Sequence, residues 1–126
     1  MAEGLILKEN RNLTRHELIY YLKVTDRLTG QEIGRLGDIH IEGMLLLTPE
    51  PLSGETVYES LLLELPKAMA QAEGYSKVPI QAQVIWSKPG PPASNYYENG
   101  LRFLNLTGQA EKAIIQLTKI FAMPNQ

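Results

Sequence analysis

Residues 78–87 read Val-Pro-Ile-Gln-Ala-Gln-Val-Ile-Trp-Ser, and they show the clearest two-residue alternation in the chain. Apolar side chains recur at every second position, while Gln81 and Gln83 fall on the opposite side. Because successive residues of a β-strand point to opposite faces, this pattern predicts a strand with one buried face, which places Trp86 in the core. The predicted core face consists of Val78, Ile80, Ala82, Val84 and Trp86.

Five further strands are predicted around this stretch. Apolar runs bounded by Gly, Pro or Asp favour strands over 17–24, 31–39, 43–48, 56–65 and 97–106. After the last strand, Thr107 is a suitable N-cap, and apolar residues then recur at helical spacing as far as Phe121. Six short strands and one amphipathic helix predict a mainly β fold, a six-stranded antiparallel barrel with a C-terminal α-helix.

Two segments of this pattern are open to more than one interpretation. Residues 67–76 are polar and can hold one short helical turn. Asn99-Gly100 could form a tight turn. A bend or bulge is favoured there, because the proline-rich segment 88–92 already supplies the connection between the last two strands.

The composition bounds the class of protein. The 126 residues are 44% hydrophobic and carry a net charge of -2, which predicts a folded single domain over 11–126 after a flexible lead-in over 1–10. A slightly acidic chain is not expected to bind a nucleic acid polymer. Its lack of cysteine excludes disulfides and thiolate chemistry, and no apolar run is long enough for a membrane span. A cytoplasmic location is predicted.

Catalytic motifs are missing from the sequence. There is no Gly-x-Ser-x-Gly elbow, no phosphate-binding glycine loop and no HExxH. His16 and His40, the only histidines, could bind a metal with Asp38 or Glu42, but surface polar roles are favoured. The sequence therefore predicts a protein that is not an enzyme, with no metal and no cofactor.

Two clusters carry more specific chemistry. Arg11 and Arg15 precede the first predicted strand, and their guanidinium forks suit phosphate groups or the edge of a guanine. Asp38 and Gly43 enclose the connection between the second and third strands. A carboxylate there can accept hydrogen bonds from guanine N–H groups, and a glycine permits close approach of the backbone to a ligand.

The order and spacing of these clusters resemble the PilZ domain family. The family signature is Arg-x-x-x-Arg followed some twenty residues later by Asp/Asn-x-Ser-x-x-Gly, and here 11–15 and 38–43 stand in those places. The segments 34–39, 44–46 and 100–103 extend the likeness over most of the chain. One position departs from the pattern, since His40 stands where the family has serine.

The resemblance implies a barrel that binds the second messenger cyclic di-GMP. It implies that Arg11 and Arg15 grip the ligand and that Asp38, His40 and Gly43 form the second wall. Arg35 and Arg102 are further candidates for anion contacts. Two functions stay open: a receptor for cyclic di-GMP, or a degenerate module that does not bind it because of His40. In both cases an unidentified protein partner is expected.

Overall fold

Six strands and two helices make up residues 22–122, the part of the chain that this computed structural model describes. Arg11, Arg15 and His16 therefore lie outside the described residues, as does the predicted lead-in over 1–10. The elements in chain order are β1 (Lys23–Asp26), β2 (Glu32–His40), β3 (Gly43–Thr48), β4 (Val57–Glu64), α1 (Lys67–Glu73), β5 (Lys77–Pro89), β6 (Tyr97–Leu104) and α2 (Gly108–Ala122).

The strands form one closed antiparallel barrel. Their order around the barrel is β1-β2-β3-β6-β5-β4, and β1 pairs with both β2 and β4 to complete the ring. Each described strand is thus hydrogen-bonded on both sides, which leaves no sheet edge to pair with another chain. The predicted fold, a six-stranded antiparallel barrel followed by a helix, is confirmed.

The interior is filled by aliphatic side chains from all six strands. Leu36, Leu46 and Leu63 are fully buried there. α2 packs against β2 and β5, and it buries a stripe of apolar residues in the same core. The predicted N-cap is confirmed, because the Ala110 N–H donates to Thr107 Oγ1 over 3.1 Å.

Most strand bounds fall within two residues of those predicted. Of the first predicted strand, 17–24, only the last residues are described, and the observed strand continues to Asp26, which pairs with Leu61 of β4. β6 ends at Leu104 because Asn105 has a φ of 48°, in the left-handed region that an extended strand does not use. The short helical turn predicted within 67–76 is α1.

The prediction that Trp86 lies in the core is wrong. Val84 pairs with Leu101 of β6, and Trp86 pairs with Gly100, the residue adjacent to Leu101. Ile85 is therefore an extra residue on β5. Such a bulge reverses the alternation beyond it. The indole consequently lies on the outer surface, where Trp86 is 43% exposed.

A second irregularity has the same effect on β2. Leu36 pairs with Leu46 of β3, whereas the next pair joins Asp38 to Leu45, which leaves Gly37 as the extra residue. Leu36 faces the interior, but after Gly37 the outward positions are those of Asp38 and His40. These two polar side chains therefore face solvent on the same side of the barrel as Trp86.

Candidate functional site

An open groove of about 390 Å³ crosses the outer surface of the barrel. It lies where β2 ends and β3 begins, and it continues over β5 and β6. The groove contains all three described residues that the sequence predicted as a ligand wall, namely Asp38, His40 and Gly43. Their role in binding stays a prediction, but the structure brings them together.

One wall is the tight β2–β3 hairpin. His40 pairs directly with Gly43, so only two residues form the turn. The Glu42 N–H donates to His40 Nδ1 at 3.4 Å, and the Ile39 N–H donates to Asp38 Oδ1 at 2.7 Å. Because these bonds use one ring nitrogen and one carboxylate oxygen, the histidine Nε2 and the second Asp38 oxygen remain available to a ligand.

The structure shows a packing requirement for glycine at position 43 that the sequence did not reveal. A Cβ at this position would collide with the backbone oxygen of Leu101, because β3 approaches β6 closely here. The Phe103 N–H also donates to the Glu42 carbonyl at 2.9 Å, which holds the turn against β6. The glycine thus fixes the position of the hairpin, whatever the groove binds.

The floor of the groove is the indole of Trp86 lying across Gly100. These residues pair across β5 and β6, and a Cβ on Gly100 would strike the indole ring atoms. The exposed ring of Trp86 continues into the exposed side chain of Ile85. A flat aromatic surface of this kind can stack on a nucleobase.

Charged side chains at the groove are of both signs. Asp38 and Glu42 contribute carboxylates, and Arg102 contributes a guanidinium. Arg102 Nη2 donates to Gln83 Oε1 at 3.1 Å, which orients the guanidinium along the barrel surface. Arg35, the other arginine named from the sequence, does not line the groove and forms an ion pair with Glu32 over 2.7 Å.

Sequence reasoning missed Trp86 and Glu42 as groove residues. The alternation rule assigned the indole to the core, because it assumes one residue on each strand per pair. A signal was available, since Ile85 and Trp86 are two large apolar neighbours that break the alternation, and Gly100 offers a matching gap on the next strand.

Residues 22–122 contain neither a metal-binding cluster of side chains nor a helix that could span a membrane. No three His, Asp or Glu side chains within that range come together as a metal-binding group. Neither of its helices is long and apolar enough to cross a lipid bilayer.

Solved structures with the same fold include two proteins described as complexes with c-di-GMP. The K. pneumonia MrkH complex is 18% identical, with a TM-score of 0.61, over 79% of this chain and 46% of MrkH. The PilZ domain of YcgR from Escherichia coli is 18% identical, with a TM-score of 0.56, over 81% of this chain and 79% of that domain. At these identities the likeness shows a shared fold.

MrkH without ligand also matches, at 17% identity and a TM-score of 0.55, over 76% of this chain and 44% of MrkH. The chain thus spans just under half the length of MrkH. Among curated proteins, none matches it in sequence. A family model of the PilZ domain matches residues 9–119, nearly the whole length and both sequence clusters. The chain therefore belongs to the PilZ domain family.

Proposed function

We propose that this protein is a non-catalytic receptor for cyclic di-GMP that binds the dinucleotide in the groove beside the β2–β3 hairpin. The observation that carries the proposal is the convergence of Asp38, His40 and Gly43 with the exposed ring of Trp86 in one groove. Membership of the PilZ family supports the same function, as does the c-di-GMP named for two solved structures of the same fold. The cytoplasmic location stays a prediction.

The groove offers complementary chemistry for one guanine. Stacking of a base on an aromatic ring contributes about 1–3 kcal/mol, and the Trp86 ring has a large accessible face. Asp38 carries a carboxylate that can accept from the N–H groups on the guanine edge. We expect one guanine to lie on Trp86 with its polar edge toward the hairpin.

The course of the chain allows the two N-terminal arginines to reach this groove. The Leu36 N–H donates to the Leu22 carbonyl at 2.9 Å, so the chain enters the barrel beside β2, two residues before Asp38. Arg15 precedes Leu22 by seven residues. Seven residues span at most about 24 Å, which is ample for a guanidinium to contact a ligand lying against Asp38. Arg11 and Arg15 remain the proposed clamp.

His40 is the specific reason to retain a second candidate function. The imidazole is larger than the serine of the family pattern, and it stands exposed at the corner of the hairpin. If it fills the space of the ligand, the domain is an interaction module. The apolar surface of Ile85 and Trp86 would then contact a protein partner. In the receptor, His40 Nε2 takes over the contact of the serine hydroxyl.

Titration calorimetry with cyclic di-GMP separates the two functions. For the receptor we expect saturable binding by the wild type, and Arg15→Ala should weaken it at least about tenfold through the loss of a charge-assisted contact. Trp86→Ala should also weaken it, while Trp86→Phe retains part of the affinity. Arg27→Ala is the matched control, because Arg27 lies in the turn between β1 and β2, at the end of β2 that is remote from His40.

Intrinsic fluorescence provides a second measurement on the same protein. Trp86 is the only tryptophan, so a change in its emission on titration reports the groove itself. Absence of binding by the wild type would contradict the receptor. A His40→Ser variant that gains binding in that case would support the interaction module.

A further inference from the structure

Lys88 stands next to the stacking surface on the outer face of the β5–β6 ribbon. It follows Trp86 by two residues, so both side chains project to the same side of the sheet. The lysine Nζ lies 5.5 Å from the centroid of the Trp86 ring and 3.8 Å from Glu98 Oε1. We infer that Lys88 is a further phosphate-binding residue, which leaves Glu98 and contacts the dinucleotide when a base stacks on Trp86. This inference rests on the proposed function of the groove.

The charge of the groove supports the need for such a cation. Apart from His40, the groove has the carboxylates of Asp38 and Glu42 against the single guanidinium of Arg102. Among the described residues that line it, acidic charge therefore exceeds basic charge, although the ligand carries two phosphates. A dianion is attracted only if cations from outside the groove come to it. Arg11 and Arg15 are one proposed source, and Lys88, whose Nζ lies 5.5 Å from the centroid of the Trp86 ring, is a second.

The arrangement along the ribbon places a cation on each side of the aromatic ring. On β6, Glu98, Gly100 and Arg102 occupy alternate positions and face outward together with Trp86 and Lys88 of β5. Trp86 pairs with Gly100, and Lys88 pairs with Glu98. A nucleotide whose base lies on the ring has its phosphate at one side of it. In a cyclic dinucleotide the two phosphates can therefore meet Arg102 at one side and Lys88 at the other.

The present contacts of Lys88 are weak enough to exchange. Its side chain is 63% exposed, and an ion pair of this kind at a protein surface contributes little to stability. A base that covers the indole also removes the cation–π contact, which frees the ammonium group. A phosphate within reach of the flexible lysine side chain then replaces the Glu98 carboxylate as its partner.

The test compares Lys88→Met with a matched control, Lys112→Met. Lys112 forms an equivalent bridge to Glu73 at 3.7 Å, with 65% side-chain exposure, but it lies on α2, away from the groove. Both substitutions remove one positive charge and keep a side chain of similar length. At low ionic strength we expect Lys88→Met to bind cyclic di-GMP about fivefold more weakly and Lys112→Met to bind as the wild type does. At about 1 M salt, where the Debye length is about 3 Å, the difference should largely disappear.

A third variant tests the exchange of partners. Glu98→Gln removes the competing carboxylate, so we expect equal or tighter binding. If Lys88→Met and Lys112→Met bind cyclic di-GMP with equal affinity at low ionic strength, the inference is overturned, while the proposed receptor function still stands. Weaker binding by Glu98→Gln would also overturn it, because Lys88 would then need Glu98 in the complex. If the wild type does not bind the dinucleotide, the proposed function and this inference fail together.

Discussion

Replacing Gly43 by alanine should destabilise the protein in the absence of any ligand. The added Cβ would overlap the backbone oxygen of Leu101, and neither group can rotate away as a flexible side chain can. β3 and β6 must therefore separate locally, at the pair formed by Gly43 and Arg102. Overpacking of this kind costs about 1–3 kcal/mol, and a weakened ladder hydrogen bond adds about 1 kcal/mol.

We therefore expect a loss of about 3 kcal/mol in the free energy of unfolding. For a chain of this size, 1 kcal/mol shifts the melting temperature by about 4 °C, so thermal unfolding followed by circular dichroism should show a fall of about 12 °C. Gly54→Ala is the matched control. A Cβ there meets no atom within 4 Å, and its φ lies outside the left-handed region.

The outcome separates two explanations of this glycine. If Gly43→Ala has the same melting temperature as Gly54→Ala, the reasoning from the β3–β6 contact is refuted. If it melts well below the control, a loss of ligand binding in Gly43→Ala cannot be assigned to a missing ligand contact.

Three further changes test the packing and ionisation of the barrel. Asn99→Asp should cost about 3 kcal/mol in urea denaturation, because the buried Asn99 amide donates to the Leu46 carbonyl at 3.0 Å and a carboxylate would face that oxygen. Thr107→Ala removes the N-cap of α2 and should lower the unfolding free energy by about 1 kcal/mol, which Thr107→Ser should largely restore. Burial, and then the charge of Asp26, raise the pKa of Tyr58 above its ordinary value of 10.0. The neutral phenol is therefore favoured in the folded state, so its stability contribution is present below pH 10.0 and is lost as the pH rises through the folded pKa. Tyr58→Phe should lose less stability than the wild type between neutral and strongly alkaline pH, as measured by denaturation at both.

The strands and the final helix could be predicted because their sequence signals are local. Residues 43–48 are a continuous apolar run, and the observed strand has the same bounds. Thr107 and the helical spacing after it fixed the start of α2 in the same way. Closure of the barrel depends on pairing between β1 and β4, which are distant in sequence, and it was inferred from the number of strands.

The site could be predicted only in part, because its geometry depends on where pairing slips. Short motifs identified Asp38, His40 and Gly43 as neighbours, and all three lie in one hairpin. Trp86 was assigned to the wrong face, since nothing in a two-residue period indicates that Ile85 has no partner on β6. The reason for Gly43 lies on another strand and is visible only when β6 is in place.

The bulges at Gly37 and Ile85 decide which of the following side chains face the outer surface of the barrel. On each strand one unpaired residue stands between a buried side chain, Leu36 or Val84, and the next paired residue, which faces the groove. Removing Ile85 would make Val84 and Trp86 successive residues, paired with Leu101 and Gly100 as they are now, so regular alternation would keep the indole on the outer surface. If Ile85 instead paired with Gly100, Trp86 would face an interior already filled with aliphatic side chains. The outward direction of this aromatic surface is therefore a property of the register between β5 and β6, and a one-residue slip of that register beyond Val84 would abolish it without altering any residue that forms it.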